Sequence, residues 1–495
     1  METISNTIEV YHNSEKIISP KLNEYILLWV LFWTTVAVVY MFPQVVGYIF
    51  IIVLFVLFAV SKRDYFWLAF FLLLTYAPFG FFIESSRDSA HRLPLFIFGP
   101  GLSFSTSLMF LLIGLTKALT KNTQIVSFFS KHYKLLIIYL ALLVPIAIII
   151  HETEVGTLLD GIKQVIYISF LFIIYKLIDK REDKYKFILL LVPFVFLFLL
   201  DAFYFLITGG DYVYNFFNPD YPRQLLSMGE GISGDLNIRF VPWGFVLSYL
   251  IFIFSLSYSF ISKKRTYFLI TALSAFIIVI AAAVRSWFII YSIALIFFLF
   301  YSSEKLKYSI LIGVLFLLLM FPLIQTSTGS AALSAAFDRI STVFSIGKES
   351  SAATKSLEYK VKRHLPSQLQ YIRENPLTGW AFTKKQGIPD VGNFALIVDI
   401  GFVGFFIFLW FWFSFFSILK QHIHAFRDKN AKNAMRMLIV LFLGILLSHF
   451  TTNAVFIISR GVFFGTFIFL TEFIIQEAKI YDQKVIHENE RIENS

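Results

Sequence analysis

The sequence predicts an all-α integral membrane protein with about 14 transmembrane helices, both termini in the cytoplasm and one large extracytoplasmic loop containing short helices. Three observations predict this class. Of the 495 residues, 58% are hydrophobic and only 15% are charged, whereas soluble domains carry roughly a quarter charged residues. Apolar runs of about 17–25 residues, long enough to cross a hydrocarbon core, recur along the chain. Lysine and arginine are concentrated in alternate loops.

The apolar runs are predicted to be helices, because a backbone in lipid must satisfy its own hydrogen bonds. They are too continuous for the alternating strands of an outer-membrane barrel. We predict spans near 24–42, 45–60, 65–83, 103–117, 135–150, 160–178, 187–207, 240–261, 267–284, 286–301, 308–324, 394–419, 436–452 and 456–476.

The first apolar run follows a polar segment that carries Lys16 and Lys21, and no small-residue cleavage site comes after it. It is therefore interpreted as an uncleaved first span and not as a signal peptide. The chain has no Cys, which excludes structural disulfides, thiolate metal sites and Cys nucleophiles. The predicted organisation is an N-terminal segment 1–23, a first membrane bundle 24–324 with an outer loop at 208–239, the large loop 325–393, final spans within 394–476 and a cytoplasmic tail 477–495.

The distribution of positive charge predicts the orientation in the membrane. The termini and six alternate loops, with Arg436 at the membrane edge, hold 26 of the 42 Lys and Arg residues. The short loops of the other face hold seven, counting Arg285 and Arg460 at span ends, and the loop at 325–393 holds nine. The positive-inside rule puts both termini in the cytoplasm, and a loop longer than about 60 residues escapes that rule. The net charge of +10 is thus explained mostly by the membrane topology. It does not require a nucleic-acid partner. The six loops are 61–64, 117–134, 176–186, 262–266, 302–307 and 420–435.

Two arginines at predicted outer span ends are candidates for binding an anion. Arg285 lies in a tight turn between two apolar runs, and Arg460 follows the last outward turn, close in sequence to His449. Ionisable groups at membrane depth are costly and therefore mark functional sites. The alternatives are that Arg285 reaches lipid head groups and that Arg460 forms a structural pair with Asp201 or Asp399.

The outer loops carry further arginines that suit a phosphate ligand, because the planar guanidinium donates two parallel hydrogen bonds. A solvated loop surface is the alternative interpretation. The outer side has no metal-binding His pair and no serine nucleophile elbow, and the cytoplasmic loops have no nucleotide-binding glycine motif. These arginines are Arg87, Arg92, Arg223, Arg239, Arg339, Arg363 and Arg373.

A motif in the large loop carries a family resemblance. The segment 371–382 includes Asn375-Pro376, which ends a predicted helix, and then Gly379. It resembles the signature of the O-antigen polymerase and O-antigen ligase superfamily, in which an outer helix ends in Asn-Pro before a Gly-containing turn. The next span carries a Gly-x-x-Gly motif at 401–404, as in that family. The turn at Arg285 is similar to the family's Ser-Arg-Gly turn, although Val and Ser flank the arginine here.

One departure from the family pattern separates its two activities. Ligases of the superfamily place a catalytic His just before the Asn that leads into the span after the loop, whereas here Gly392 precedes Asn393. The resemblance therefore favours a polymerase and keeps a ligase, acting on a lipid or protein acceptor, as the alternative. The general base is left open between His364 and Glu374.

The resemblance implies a polymerase of lipid-linked oligosaccharide repeat units on the outer face of a bacterial cytoplasmic membrane, the inner membrane. Donor and acceptor are then undecaprenyl-diphosphate-linked oligosaccharides, embedded in membrane lipid. A chain-length regulator and a flippase of the same pathway are further expected partners. No metal or nucleotide cofactor is expected. A flippase or exporter of the same lipid-linked sugar is the alternative from another class.

The hypothesis assigns roles to individual residues. Arg285, Arg239 and Arg460 line the diphosphate pocket at the outer membrane boundary. Arg363 and Arg373 approach from the large loop. Further candidates for binding the diphosphate or the glycan are Arg223, Arg339, Asn393 and His449.

Overall fold

A computed structural model of the protein describes residues 20–75, 96–99, 102–104, 106–122, 130–151, 165–208, 245–282, 285–327, 365–380, 392–449 and 458–493, with single positions between 330 and 362. The regular structure within these ranges is helical, apart from one short antiparallel pair of strands. That pair joins β1 (Phe96–Gly99) to β2 (Leu102–Phe104).

The helices of the first half follow the predicted spans. The span predicted at 187–207 corresponds to two helices that adjoin at Pro193, whose ring nitrogen carries no hydrogen to donate. The helices are α1 (Leu22–Met41), α2 (Gln44–Val60), α3 (Asp64–Thr75), α4 (Thr106–Thr120), α5 (Ser130–His151), α6 (Phe170–Leu177), α7 (Arg181–Leu191) and α8 (Phe194–Thr208).

The helices of the second half include one from the segment predicted to be a large outer loop. The predicted helix that ends at Asn375-Pro376 is present, since α13 ends at Glu374. The helices are α9 (Phe245–Tyr258), α10 (Arg265–Ala281), α11 (Arg285–Tyr301), α12 (Lys305–Ile324), α13 (Leu365–Glu374), α14 (Gly392–Ala425), α15 (Lys429–His449) and α16 (Ile458–Glu493).

Five of the described helical stretches are long and apolar enough to cross a membrane, which confirms a helical membrane protein. The full set of fourteen spans stays a prediction. The last helix differs from its prediction, because α16 continues through the predicted tail and has 36 residues, or about 54 Å at 1.5 Å per residue. The five stretches are Leu22–Val39, Arg181–Thr208, Phe394–Ala425, Lys429–Leu447 and Gly461–Glu488.

Aromatic rings fix the packing of the last three helices. Phe442 on α15 packs against Phe415 of α14 with ring centroids 4.5 Å apart. Phe464 of α16 packs against Phe411 at 5.2 Å, and one turn further Phe467 packs against Phe415 at 5.4 Å. Because both positions advance together, α14 and α16 run in the same direction, and α15 returns between them.

The loops that the charge pattern predicts to be cytoplasmic contact one another. The Asp64 carboxylate, at the start of α3, forms ion pairs with Lys117 on α4 at 2.6 Å and with Lys121, the residue directly after α4, at 2.9 Å. Lys117 also donates to the Phe58 carbonyl near the end of α2, at 2.8 Å. Lys176 on α6 donates to the Lys121 carbonyl at 3.1 Å. Lysine at a helix C-terminus stabilises the unpaired carbonyls and the negative end of the helix dipole.

The extension of α16 joins the same group of loops. The Arg181 guanidinium makes two hydrogen bonds to the Glu477 carboxylate, at 2.6 and 2.8 Å. Asp482, which is buried, accepts from the backbone N–H groups of Arg427 and Asp428 at 2.9 and 2.5 Å. Glu477 and Asp482 therefore have partners in the predicted loops 176–186 and 420–435. These contacts explain how α16 continues as a polar helix beyond its apolar part.

Candidate functional site

The candidate arginines lie at span ends that are predicted to face outward, and the helices that carry them pack together. α11, which begins at Arg285, packs against α15, which ends at His449. α15 packs against α16, whose first turn contains Arg460, and α9 packs against both of them. The structure gives only the helix positions of Arg285, His449, Arg460 and Asn393. Arg285, His449 and Arg460 lie at the ends of neighbouring helices.

A cluster of aromatic rings ties these helix ends together. Trp287 meets Tyr249 of α9 edge to face with ring centroids 4.3 Å apart, and Tyr249 lies 6.2 Å from Phe463 of α16. Arg285 precedes Trp287 by two residues and Arg460 precedes Phe463 by three. Each arginine therefore lies about 3–5 Å closer to the N-terminus of its helix than this cluster. The two arginines therefore stand at a similar level at one end of the helices.

The turn with the family motif is bound to the membrane helix through its backbone. The Trp380 N–H donates to the Val398 carbonyl at 2.7 Å, and the Phe402 N–H donates to the Pro376 carbonyl at 2.8 Å. The Val403 N–H donates to the Leu377 carbonyl at 3.2 Å. In an unbroken helix the Phe402 N–H would bond the Val398 carbonyl; here both groups bond the turn. The turn thus supplies partners for backbone groups of α14.

α14 is broken at Gly401, where φ is 67° and ψ is 179°. That conformation is essentially restricted to glycine. Gly379, in the turn, also has a positive φ of 66°. A Cβ on Gly379 would lie 2.5 Å from the Gly401 nitrogen, and a Cβ on Gly401 would lie 2.1 Å from the Leu377 oxygen. The two backbones therefore touch, and only glycine fits at either position.

The other side of the break is held by α5. Tyr139 donates its hydroxyl hydrogen to the Ile400 carbonyl at 2.7 Å. A Cβ on Gly404 would lie 2.5 Å from the Tyr139 ring, so the second glycine of the motif makes room for this tyrosine. The predicted Gly-x-x-Gly motif consequently has two separate functions: Gly401 permits the break and Gly404 admits the ring that caps it.

The break lies beyond the level of Arg460, on the side that the charge pattern predicts to face outward. Phe464, one turn after Arg460, packs against Phe411 and Phe408 of α14 at 5.2 and 6.1 Å. Gly401 precedes these rings by about two to three turns, so it lies on the order of 5–10 Å outward of the Arg460 level. The break is also inside the candidate span Phe394–Ala425. Irregular backbone at such a depth requires internal partners, and the turn and Tyr139 provide them.

Arg373 and Glu374 form the last residues of α13, directly before the turn, and both side chains are exposed. Glu374 accepts a hydrogen bond from the Gln370 amide at 3.1 Å. The exposed guanidinium and carboxylate thus directly precede the turn that binds the break. Arg223, Arg239, Arg339, Arg363 and His364 lie outside the described residues, as do Arg87 and Arg92.

A structural pair of Arg460 with Asp201 or with Asp399 stays a prediction. Asp201 is fully buried in α8, and Asp399 lies in the last turn before the break in α14. Among the residues that the structure describes, no group of three His, Cys, Asp or Glu side chains is arranged to hold a metal ion.

Sequence reasoning missed Tyr139 and the aromatic cluster of Tyr249, Trp287 and Phe463. With 61 Phe and 24 Tyr in the chain, an aromatic residue in a span carries no individual signal. The spacing of Gly401 and Gly404 signals a close approach to one helix face, but it does not identify the partner. No protein-family model matches the chain, and no curated protein or solved structure is significantly similar to it.

Proposed function

We propose that this protein polymerises lipid-linked oligosaccharide repeat units on the outer face of a bacterial cytoplasmic membrane. The observation that carries the proposal is the Asn375–Trp380 turn, which is bound to the break at Gly401 towards the same end of the helices as Arg285 and Arg460. A lipid diphosphate needs fixed positive charge at the membrane boundary, and a long glycan needs an open outer surface next to that charge.

The orientation is supported by contacts at the opposite end. Asp64, Lys117 and Lys121 join two of the predicted cytoplasmic loops, and Lys121 donates to the Leu177 carbonyl of a third at 3.2 Å. The Arg181–Glu477 pair adds the last helix. Arg285 and Arg460, by contrast, are at the other ends of their helices, because α11 begins with Arg285 and the first turn of α16 contains Arg460. Under the positive-inside rule those helix starts face outward.

The proposed reaction transfers the growing glycan between two lipid-linked substrates. The bond between the anomeric carbon and the diphosphate oxygen breaks, and the diphosphate leaves on its lipid as an anion. A hydroxyl oxygen of the acceptor unit forms the new glycosidic bond, and its proton passes to a base or to water. Arginine side chains stabilise the negative charge that develops on the diphosphate, and this makes the largest contribution to the rate of transfer. Holding both substrates at one boundary supplies the rest.

Glu374 is the described candidate for the base. Its carboxylate is exposed, lies at the end of α13 next to the bound turn and already accepts a hydrogen bond from Gln370. His364, the rival, lies outside the described residues. An exposed carboxylate suits a reaction in which the leaving group is a stable anion, because only weak assistance to the acceptor hydroxyl is then required.

The test is a glycan ladder from a strain that lacks the gene, with and without the complementing gene. We expect single repeat units in the deletion strain and long chains after complementation. Polymer that accumulates on the lipid carrier in the deletion strain would instead identify a ligase. Repeat units that stay on the cytoplasmic leaflet would identify a flippase, and an unchanged ladder would remove the protein from glycan assembly.

A further inference from the structure

The side chain of Gln368 on α13 is buried, with 1% of its surface exposed. Neither its amide nitrogen nor its amide oxygen has a hydrogen-bond partner in the part of the chain that the structure describes. A buried carboxamide without partners costs about 1–3 kcal/mol, whereas an apolar side chain of the same shape would be neutral. A polar side chain at this position therefore calls for a function beyond packing.

Gln368 lies on the face of α13 that packs against α14. Residues four apart share a helix face, and Ile372, four residues later, packs against Ile397 and Val398. Gln370 is on the opposite face and is exposed. Gln368 is thus the polar residue of the packed face. It lies about 10 Å from Asn375 along the helix axis, at 1.5 Å per residue.

The described contacts of α13 are strongest at its turn end. The turn is attached to α14 by three backbone hydrogen bonds, one of them from Trp380 to Val398 at 2.7 Å. Near Gln368 the described contact is the apolar one of Ile372 with Ile397 and Val398. Because the carboxamide is buried, it can meet a ligand only if α13 shifts, for example by a tilt that keeps the hydrogen bonds of the turn.

We infer that the Gln368 carboxamide binds hydroxyl groups of the lipid-linked glycan. This inference rests on the proposed function and adds a contact for the sugar part of the substrate. An amide offers two donors and one acceptor with two lone pairs, and sugar hydroxyls both donate and accept. The guanidinium of an arginine has no acceptor. The arginines of the diphosphate site therefore cannot accept a hydrogen bond from a sugar hydroxyl. A glycan that extends outward from the diphosphate, past the turn, reaches α13.

The test compares Gln368→Met with Gln370→Met, the matched change on the exposed face of the same helix. Both variants, and the wild type, are purified in detergent and given lipid-linked repeat units extracted from the deletion strain. We expect Gln368→Met to raise KM about tenfold, the equivalent of one lost hydrogen-bonded contact. Its kcat should change by less than about twofold, because the contact is uniform in ground and transition states. Gln370→Met should leave both constants unchanged.

The melting temperature separates binding from a structural contribution. Gln368→Met removes buried groups without partners, so its Tm should equal or exceed that of the wild type; a structural hydrogen bond would instead lower Tm. If the Met variant does not insert, Gln368→Leu is measured in the same way. A wild-type KM in the inserted variant overturns the inference and leaves the polymerase proposal standing. A wild type that makes no polymer overturns the polymerase proposal, and with it this inference.

Discussion

Tyr139 and Ile400 are 261 residues apart in the chain and are joined by a hydrogen bond of 2.7 Å from the tyrosine hydroxyl to the isoleucine carbonyl. The carbonyl belongs to the residue just before the break at Gly401. On the other side of the same break, Pro376 and Leu377 of the turn accept from Phe402 and Val403. The irregular backbone is therefore stabilised from two directions, by α5 and by the Asn375–Trp380 turn.

Replacing Tyr139 by Phe should weaken the break without removing the ring that packs beside Gly404. The Ile400 carbonyl then loses a partner, which costs about 1–3 kcal/mol in a buried site. We expect a lower Tm in detergent and a reduced polymer yield. Tyr267→Phe is the control, because the Tyr267 side chain is 38% exposed. Equal melting temperatures for the two variants would show that the hydroxyl contributes nothing.

The glycines at the contact between turn and helix should tolerate no side chain. Gly379→Ala and Gly401→Ala force a positive φ on alanine and drive a Cβ into the opposing backbone. The combined penalty is about 2–5 kcal/mol, so both variants should lose polymerisation and much of their stability. Gly313→Ala is the control on α12, where an added Cβ would meet nothing within 4 Å. Protein level in membranes, Tm and the glycan ladder are measured together. A stable, active Gly401→Ala protein would contradict the backbone contact.

Hydropathy and charge predicted the helices well, because a span must be apolar whatever it packs against. The position of the helix end at Asn375-Pro376 also followed from local chemistry, since proline restricts the preceding residue. The break at Gly401 was not predictable, because no proline marks it. Its stability depends on the turn and on Tyr139, which only the tertiary structure brings to the same place.

The length of α16 was missed for a related reason. Glu472, Glu477 and Asp482 make the end of this helix polar, so hydropathy ended the span at 476. The structure gives these carboxylates partners in Tyr175, Arg181 and the backbone N–H groups that precede α15. Hydropathy scores each residue alone and cannot include such partners.

Glu477→Gln should destabilise the end of α16. The change removes the negative charge from a carboxylate that is 7% exposed and leaves the Arg181 guanidinium, which is 35% exposed, without its ion pair. We expect a loss of about 1–3 kcal/mol, below the value for a fully buried pair because solvent screens the arginine. The control is Glu488→Gln, whose pair with Lys484 is long at 3.9 Å and exposed. Thermal unfolding in detergent should separate the two variants, and equal curves would assign the pair no stabilising effect.

Arg285→Ala and Arg460→Ala should each abolish chain extension while leaving insertion in the membrane intact. Both residues lie in the first turn of helices that are tied together through Trp287, Tyr249 and Phe463, so we expect these helices to stay packed in the variants. Loss of a fixed donor to a developing anion slows a reaction by about 10²–10³, which should reduce the glycan ladder to single units. Replacement by Lys should restore only part of the activity, because a point charge lacks the planar pair of donors.

The matched control is Lys305→Ala at the start of α12, since Lys305 is exposed and lies near the opposite end of α11. It should give a ladder of wild-type length at an equal protein level in the membrane. Near-normal polymer from both arginine variants would remove the two helix ends from the site. Activity lost from Arg285→Ala alone would instead place the diphosphate on α11 and leave Arg460 to a structural contact.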